Sequence, residues 1–146
     1  MNIYLVRHSE AELLDTDPGL SERGKQQATE LAKMLQTKNI SIPFIYYSEK
    51  RRARETAEII ASFISPKPTL KEKTGINPNS DPAAIATELN HSKKTLMIVS
   101  HLPFLPTLVF ELMAGHPCAT SFEFGPASCV CLAQQNDHWT IGWTLN

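Results

Sequence analysis

The chain has 146 residues, of which 42% are hydrophobic and 20% charged, and 14 basic against 15 acidic side chains give a net charge of −1. Those values fit one folded domain and exclude global disorder. They also exclude a generally basic nucleic-acid binder, leaving anion binding to a local cluster of positive charge. No apolar run approaches the ~18–20 residues a membrane span needs. The start, Met1-Asn2-Ile3-Tyr4-Leu5-Val6, carries no early positive charge and too short an apolar run for a secretory leader. The expected compartment is the cytoplasm. Cys118, Cys129 and Cys131 are odd in number, and the last two, spaced two apart, would share one face of a strand as buried structural thiols.

In chain order, Ile3 to Val6 reads as a strand buried on both faces, with Arg7 and His8 at its C-terminal end. Residues 9–20, with Asp15, Asp17, Pro18 and Gly19, read as a loop. Ser21 is an N-cap for a helix running to Thr37, with Ala28, Leu31, Ala32 and Leu35 on its apolar face. Phe44 to Tyr47 is a second strand ending at Ser48, and a helix over 50–64 follows, its apolar face Ala53, Ala57, Ile60, Ala61 and Ile64. A long connection holds an extended piece near Leu70. Asp81-Pro82 then opens a short helix ending near Asn90. Thr95 to Ser100 is a buried strand with His101 directly after it. Pro103 to Ala114 is an apolar helix with Pro106 in its first turn and Gly115 as C-cap. Ser128 to Ala133 and Trp139 to Leu145 form a strand pair joined by a Gln-Asn-Asp turn.

Strands alternate with helices over residues 1–114. The pattern predicts a three-layer α/β/α domain with a mainly parallel central sheet, the last pair adding antiparallel strands. The whole chain, 1–146, reads as a single domain. In such sheets ligands bind beyond the carboxyl ends of strands, and three of those ends carry Arg7-His8, Ser48 and Ser100-His101.

Arg7, His8, Arg52 and His101 could therefore meet at one rim. Guanidinium groups match phosphate oxygens, and positioned cations stabilise a phosphoryl transition state whose charge is spread over its equatorial oxygens. A neutral imidazole can serve as nucleophile through a phosphoimidazole intermediate. No metal or cofactor is required, because the arginines supply the positive charge. The plain alternatives are a structural histidine at each strand end, and Lys50, Arg51, Arg52 and Arg54 as a solvated helix face.

The run Leu5-Val6-Arg7-His8-Ser9-Glu10 resembles the Arg-His-Gly signature of the histidine phosphatase (phosphoglycerate mutase-like) superfamily. Leu20-Ser21-Glu22-Arg23-Gly24 resembles its Leu-Thr-x-x-Gly helix start, and Ser48-x-x-x-Arg52-Ala53-x-Glu55-Thr56 its Ser-Pro-x-x-Arg-Ala-x-Gln-Thr block. Val99-Ser100-His101-Leu102-Pro103 is similar to the second-histidine block in the form seen in short SixA-type phosphohistidine phosphatases, and Ile76-Asn77-Pro78-Asn79-Ser80-Asp81 to a Leu-Thr-Pro-x-x-Asp segment of that subgroup. The resemblance implies a phosphoglycerate mutase-like fold, His8 as the phosphorylated nucleophile, Arg7 and Arg52 gripping the phosphoryl oxygens, and His101 donating a further hydrogen bond. Two departures stand out. Ser9 replaces the usual Gly, so its side chain could crowd the pocket or its hydroxyl could bind phosphate. Glu49 replaces the Pro after Ser48, tolerable if it points to solvent.

Larger members of this superfamily insert a cap between the second strand–helix unit and the second-histidine strand. Here only residues 65–94 lie between them, so no large cap and an open pocket are expected. An open pocket suits a phosphate displayed on a protein. Many relatives that hydrolyse esters place a carboxylic acid in this segment; Glu72 and Asp81 are the candidates, with Asp81 equally a helix N-cap. The expected activity is removal of phosphate from phosphohistidine on a protein of phosphotransfer or phosphotransferase-system type, without nucleic acid or membrane as partner. Two alternatives remain: a general small-molecule phosphomonoesterase on the same fold, and a non-catalytic phosphate-binding module. A zinc deaminase is excluded: His8-Ser9-Glu10 fits its His-x-Glu, but Pro117-Cys118-Ala119-Thr120-Ser121 lacks the second cysteine.

Overall fold

The computed structural model describes residues 1–114 and 122–146. Ten elements follow in chain order: β1 (Asn2–Arg7), α1 (Glu22–Thr37), β2 (Phe44–Tyr47), α2 (Arg51–Ala61), β3 (Thr69–Glu72), α3 (Pro82–His91), β4 (Leu96–Ser100), α4 (Phe104–Leu112), β5 (Cys129–Gln135) and β6 (His138–Leu145). They build a six-stranded sheet in the order β3-β2-β4-β1-β5-β6. β1, β2, β3 and β4 run parallel, and β5 pairs antiparallel with both β1 and β6.

Two apolar layers cover the sheet. Ile3, Leu5, Leu96, Ile98, Val130 and Leu132 face α3 and α4. Tyr4, Val6, Met97, Val99, Cys129 and Cys131 face α1 and α2. The strict alternation follows from the period of two along a strand. The chain steps one way across the sheet from β1 to β2 to β3, then back to β4. Right-handed crossovers taken in opposite directions put their helices on opposite faces, which is the division seen here. Cys129 and Cys131 share a face as expected, and burial pushes the Cys131 thiol up to about 11. Cys118 and Pro117 lie outside the described residues.

The largest shifts of element ends from expectation fall in three places. α2 stops at Ala61, with Phe63 and Ile64 in a tightened last turn, because the residue before Pro66 disfavours helix. α4 begins at Phe104, with Pro103 in the N-cap position, and ends at Leu112; the expected Gly115 cap lies outside the described residues. Gln135 belongs to β5, and the hairpin turns on Asn136 and Asp137 alone, whose φ values of 51° and 63° match a two-residue turn. Ser21 does cap α1, accepting from Gly24 N–H at 3.0 Å, and Asp81 caps α3, accepting from Ala83 N–H at 2.9 Å. The segment between α2 and β4 holds only β3 and α3 and builds no large cap.

Candidate active site

Register brings the site together. Arg7 pairs with Ser100 across β1 and β4, and Tyr47 with Val99 across β2 and β4. The backbone continues the ladder one step further, with His8 N–H donating to Ser100 O at 3.0 Å and Ser48 N–H to Val99 O at 3.3 Å. The residues immediately beyond the paired positions are therefore neighbours. The rings of His8 and His101 lie 4.9 Å apart, centroid to centroid. Ser48 Oγ meets His101 Nε2 at 2.5 Å and takes the Lys50 N–H at 3.3 Å.

His8 has a defined tautomer. Its Nδ1 lies 2.7 Å from the Ser9 carbonyl, which can only accept, so Nδ1 carries the proton and Nε2 the lone pair. Arg52 Nε–H approaches that same Nε2 at 3.4 Å. Burial, with Arg52 and Arg7 adding to it, lowers the His8 pKa to about 4. Burial and then His8, Arg52, Lys50 and Arg7 lower that of His101 to about 3. Both imidazoles are neutral at pH 7. Arg7 is half-buried, donates to the Phe124 carbonyl at 2.9 Å, and has its pKa lowered by desolvation. Its Nε and His101 Nδ1 are buried without a protein partner, which leaves two polar groups unsatisfied beside His8.

α2 supplies the rest of the block. Arg52 faces His8, whereas Arg51 pairs with Glu55 at 2.8 Å and Arg54 with Glu58 at 3.6 Å. The i, i+4 spacing that makes those pairs turns Arg52 to the other side of the helix. Glu55 also accepts from Leu20 N–H at 2.8 Å; burial pushes its pKa up, but that bond and Arg51 outweigh it and hold the carboxylate low. Thr56 accepts from Ser9 N–H at 3.1 Å and donates to Arg52 O at 2.8 Å, joining the loop after His8 to α2. Ser9 is fully buried and its hydroxyl meets Thr56 Oγ1 at 3.3 Å. That side chain is tied into the framework rather than offered to a phosphate. Glu49 is exposed, as its tolerance required.

A cleft of about 280 Å³ opens beside Arg7, His8 and Arg52, and Ser9, Glu10, Glu12, Leu13 and Pro126 also border it. Neither Glu72, exposed at the end of edge strand β3, nor Asp81, occupied as a helix cap, lines it. Sequence reasoning missed Glu10, Glu12 and Thr56 as components. Glu10 turns toward α1, taking the Ser21 hydroxyl at 3.1 Å with Arg23 at 3.9 Å. Glu12 is exposed and forms no ion pair among the described residues. Among those residues no three His, Cys, Asp or Glu side chains converge on a metal position, and no helix is long and apolar enough to cross a membrane. A larger cavity, about 800 Å³, lies at the opposite end of the sheet beside Trp139 and His138, and among the described residues neither Lys nor Arg lines it. It has no cation to balance a phosphate.

The family model of the histidine phosphatase superfamily (branch 1) matches residues 3–75. The phosphohistidine phosphatase SixA of Escherichia coli (strain K12) is 24% identical over 153 aligned positions, covering 100% of this chain and 94% of that protein. Human 6-phosphofructo-2-kinase/fructose-2,6-bisphosphatase 4 is 39% identical over 64 residues, which is 40% of this chain but only 14% of that protein. A structure of the protein histidine phosphatase SixA complexed with tungstate superposes with a TM-score of 0.90 at 20% identity, covering 99% of this chain and 96% of that one. Phosphoserine phosphatase from Entamoeba histolytica, solved with 3-phosphoglyceric acid, superposes with a TM-score of 0.76 at 21% identity over 99% and 96% of the two chains.

Proposed function

This chain belongs to the histidine phosphatase superfamily (branch 1), and from that premise we propose that residues 1–146 act as one metal-independent phosphatase domain that hydrolyses phosphohistidine on a protein through a phosphorylated His8. The observation that carries the reading is the bare Nε2 of neutral His8, aimed at Arg52 beside Arg7 and His101. In the reaction the Nε2 lone pair attacks phosphorus while the guanidiniums of Arg7 and Arg52 take up the charge of the equatorial oxygens. The P–N bond to the substrate ring breaks. A substrate imidazole already protonated at its other nitrogen leaves neutral, so this step draws no proton from the enzyme. Water then attacks the phosphoryl group on His8, the P–Nε2 bond breaks with its electron pair returning to the ring, and the water proton leaves with phosphate or to solvent. Arrival of a phosphate dianion raises the pKa of His101 and favours its N–H form as a donor.

A phosphoramidate depends less on an enzyme acid than an alkyl ester does, whose alkoxide must be protonated on departure. The positions of Glu72 and Asp81 away from the cleft support that preference. Glu12 supports a second reading, a small-molecule phosphomonoesterase, because it is a carboxylic acid residue bordering the cleft. The test is a panel of phosphohistidine protein, free phosphohistidine, sugar phosphates and an aryl phosphate, assayed in EDTA. Phosphohistidine protein should lead in kcat/KM, and Glu72→Gln and Asp81→Asn should barely slow it. Equal kcat/KM for sugar phosphates, or loss of sugar-phosphate turnover in Glu12→Gln, would favour the phosphomonoesterase.

A further inference from the structure

The loop between β1 and α1 leaves two large apolar side chains in solvent beside the cleft. Leu13 is 92% exposed and Leu14 100% exposed, whereas Leu20, at the loop's end, is buried. Their exposure is not the fraying of a loose segment. Glu12 N–H donates to Gly19 O at 2.9 Å, and Ala11 and Leu20 form an isolated antiparallel bridge. Arg51 N–H donates to Asp17 Oδ1 at 3.1 Å, and Leu20 N–H to Glu55 at 2.8 Å. At Gly24 a Cβ would lie 1.9 Å from the Glu10 carbonyl oxygen, so α1 seats on the loop's base only because that residue is glycine. A base pinned on α1 and α2 holds the tip outward.

The tip is also charged with one sign. Residues 9–20 contain Glu10, Glu12, Asp15 and Asp17 and no Lys or Arg. Leu13 borders the cleft; Leu14 does not. A small phosphate bound over His8 has no reach to Leu14, but a surface that delivers a phosphohistidine from outside must pass over it. Resting on the proposed action on phosphoprotein, we propose that this loop is the docking element for the substrate protein. Leu13 and Leu14 enter an apolar recess on that protein, and basic side chains around the recess face Glu12 and its acidic neighbours. The acidic rim disfavours nucleic acid and anionic lipid as occupants. Exposed apolar side chains rimmed by charge are the usual composition of a protein contact.

The experiment compares the unaltered chain with Leu14→Ser on phosphocarrier domains phosphorylated at histidine by phosphoramidate, on free phosphohistidine and on an aryl phosphate. At least one phosphodomain should exceed free phosphohistidine in kcat/KM by about tenfold or more. Leu14→Ser should lose about tenfold on it through KM with kcat retained, while both small substrates are turned over as before. Raising salt from about 50 to about 300 mM should weaken the protein substrate several-fold more than either small substrate. The docking role is overturned if no phosphodomain is preferred, if Leu14→Ser keeps the preference, or if it slows the small substrates equally. A concentration-dependent dimer abolished by Leu14→Ser would assign the tip to self-association instead. Aryl phosphate turnover with neither form of phosphohistidine hydrolysed would remove the substrate reading and the docking role together. Normal hydrolysis of free phosphohistidine with a silent Leu14→Ser would remove the docking role alone.

Discussion

Arg52 aims its Nε–H at His8 Nε2 from 3.4 Å, the one ring nitrogen that the Ser9 carbonyl leaves without a proton by holding Nδ1. The helix that carries Arg52 thus reads the tautomer set by the strand end that carries His8. When a phosphoryl group arrives at Nε2, the guanidinium is already beside its oxygens.

Replacing Arg52 by Lys keeps a charge but loses the planar fork. The expected loss in kcat/KM is about 10- to 150-fold, the equivalent of ~1.5–3 kcal/mol for a charge-assisted contact. Arg51→Ala, which removes the pair with Glu55 and does not touch the cleft's lining, should stay within about threefold. Steady-state kinetics on an aryl phosphate compares the two, and an Arg51→Ala defect as large as that of Arg52→Lys would mean the wrong face of α2 had been assigned.

Rapid quenching with labelled substrate should trap acid-labile phosphate on the unaltered protein and none on His8→Ala. Turnover of His8→Ala at the normal rate would show that no phosphohistidine forms at this position.

Both histidines have folded pKa values below the unfolded value of about 6.5, near 4 for His8 and near 3 for His101. Between those limits the unfolded chain binds protons that the folded chain refuses, so stability falls as pH drops from about 6.5 toward 4. Two such groups contribute a slope of at most ~2.7 kcal/mol per pH unit. Urea midpoints measured from pH 7 to 4.5 should decline, and a double His8→Asn, His101→Asn variant should decline less steeply. Bound phosphate should flatten the curve by raising both pKa values. An identical slope in the variant would place the proton uptake elsewhere.

Thr56→Val should destabilise the chain by ~1–3 kcal/mol, because the buried Ser9 N–H loses its acceptor. It should also lower kcat, since the Ser9 carbonyl that orients His8 is no longer anchored. Ser9→Gly should keep kcat within about threefold, because the buried hydroxyl is held by Thr56 Oγ1. Chemical denaturation and kinetics on the two variants separate these effects.

Gly24→Ala should cost at least ~1–3 kcal/mol, since its Cβ would collide with the backbone carbonyl of Glu10, which cannot yield as a side-chain tip does. Gly142→Ala is the control: its Cβ would meet Cys131 O at an ordinary 3.5 Å, and alanine should be tolerated. Equal thermal midpoints for the two variants would show that α1 does not depend on that close approach.

Most of the layout follows from local pattern. The alternation of Ile3 and Leu5 against Tyr4 and Val6 marks β1, Phe44–Tyr47 is read to its ends, and Ser21 and Asp81 announce their helices. The resemblance of Ser48-x-x-x-Arg52-Ala53-x-Glu55-Thr56 to a family block singles out Arg52 from Arg51 and Arg54, and the helix period then sets it apart from them. Long-range pairing decided the rest. Nothing near Arg7 in the chain says that it lies opposite Ser100, and that register alone sets His8 beside His101. Arg7 is steadied by the Phe124 carbonyl, 117 residues away, and Ser9 is buried against Thr56, 47 residues away. The loop that exposes Leu13 and Leu14 is seated on α1 by a close approach between Gly24 and Glu10. Backbone propensity acts over a few residues, so it places elements. Where two side chains from distant strands meet is settled by the packing of the whole sheet, which no local window contains.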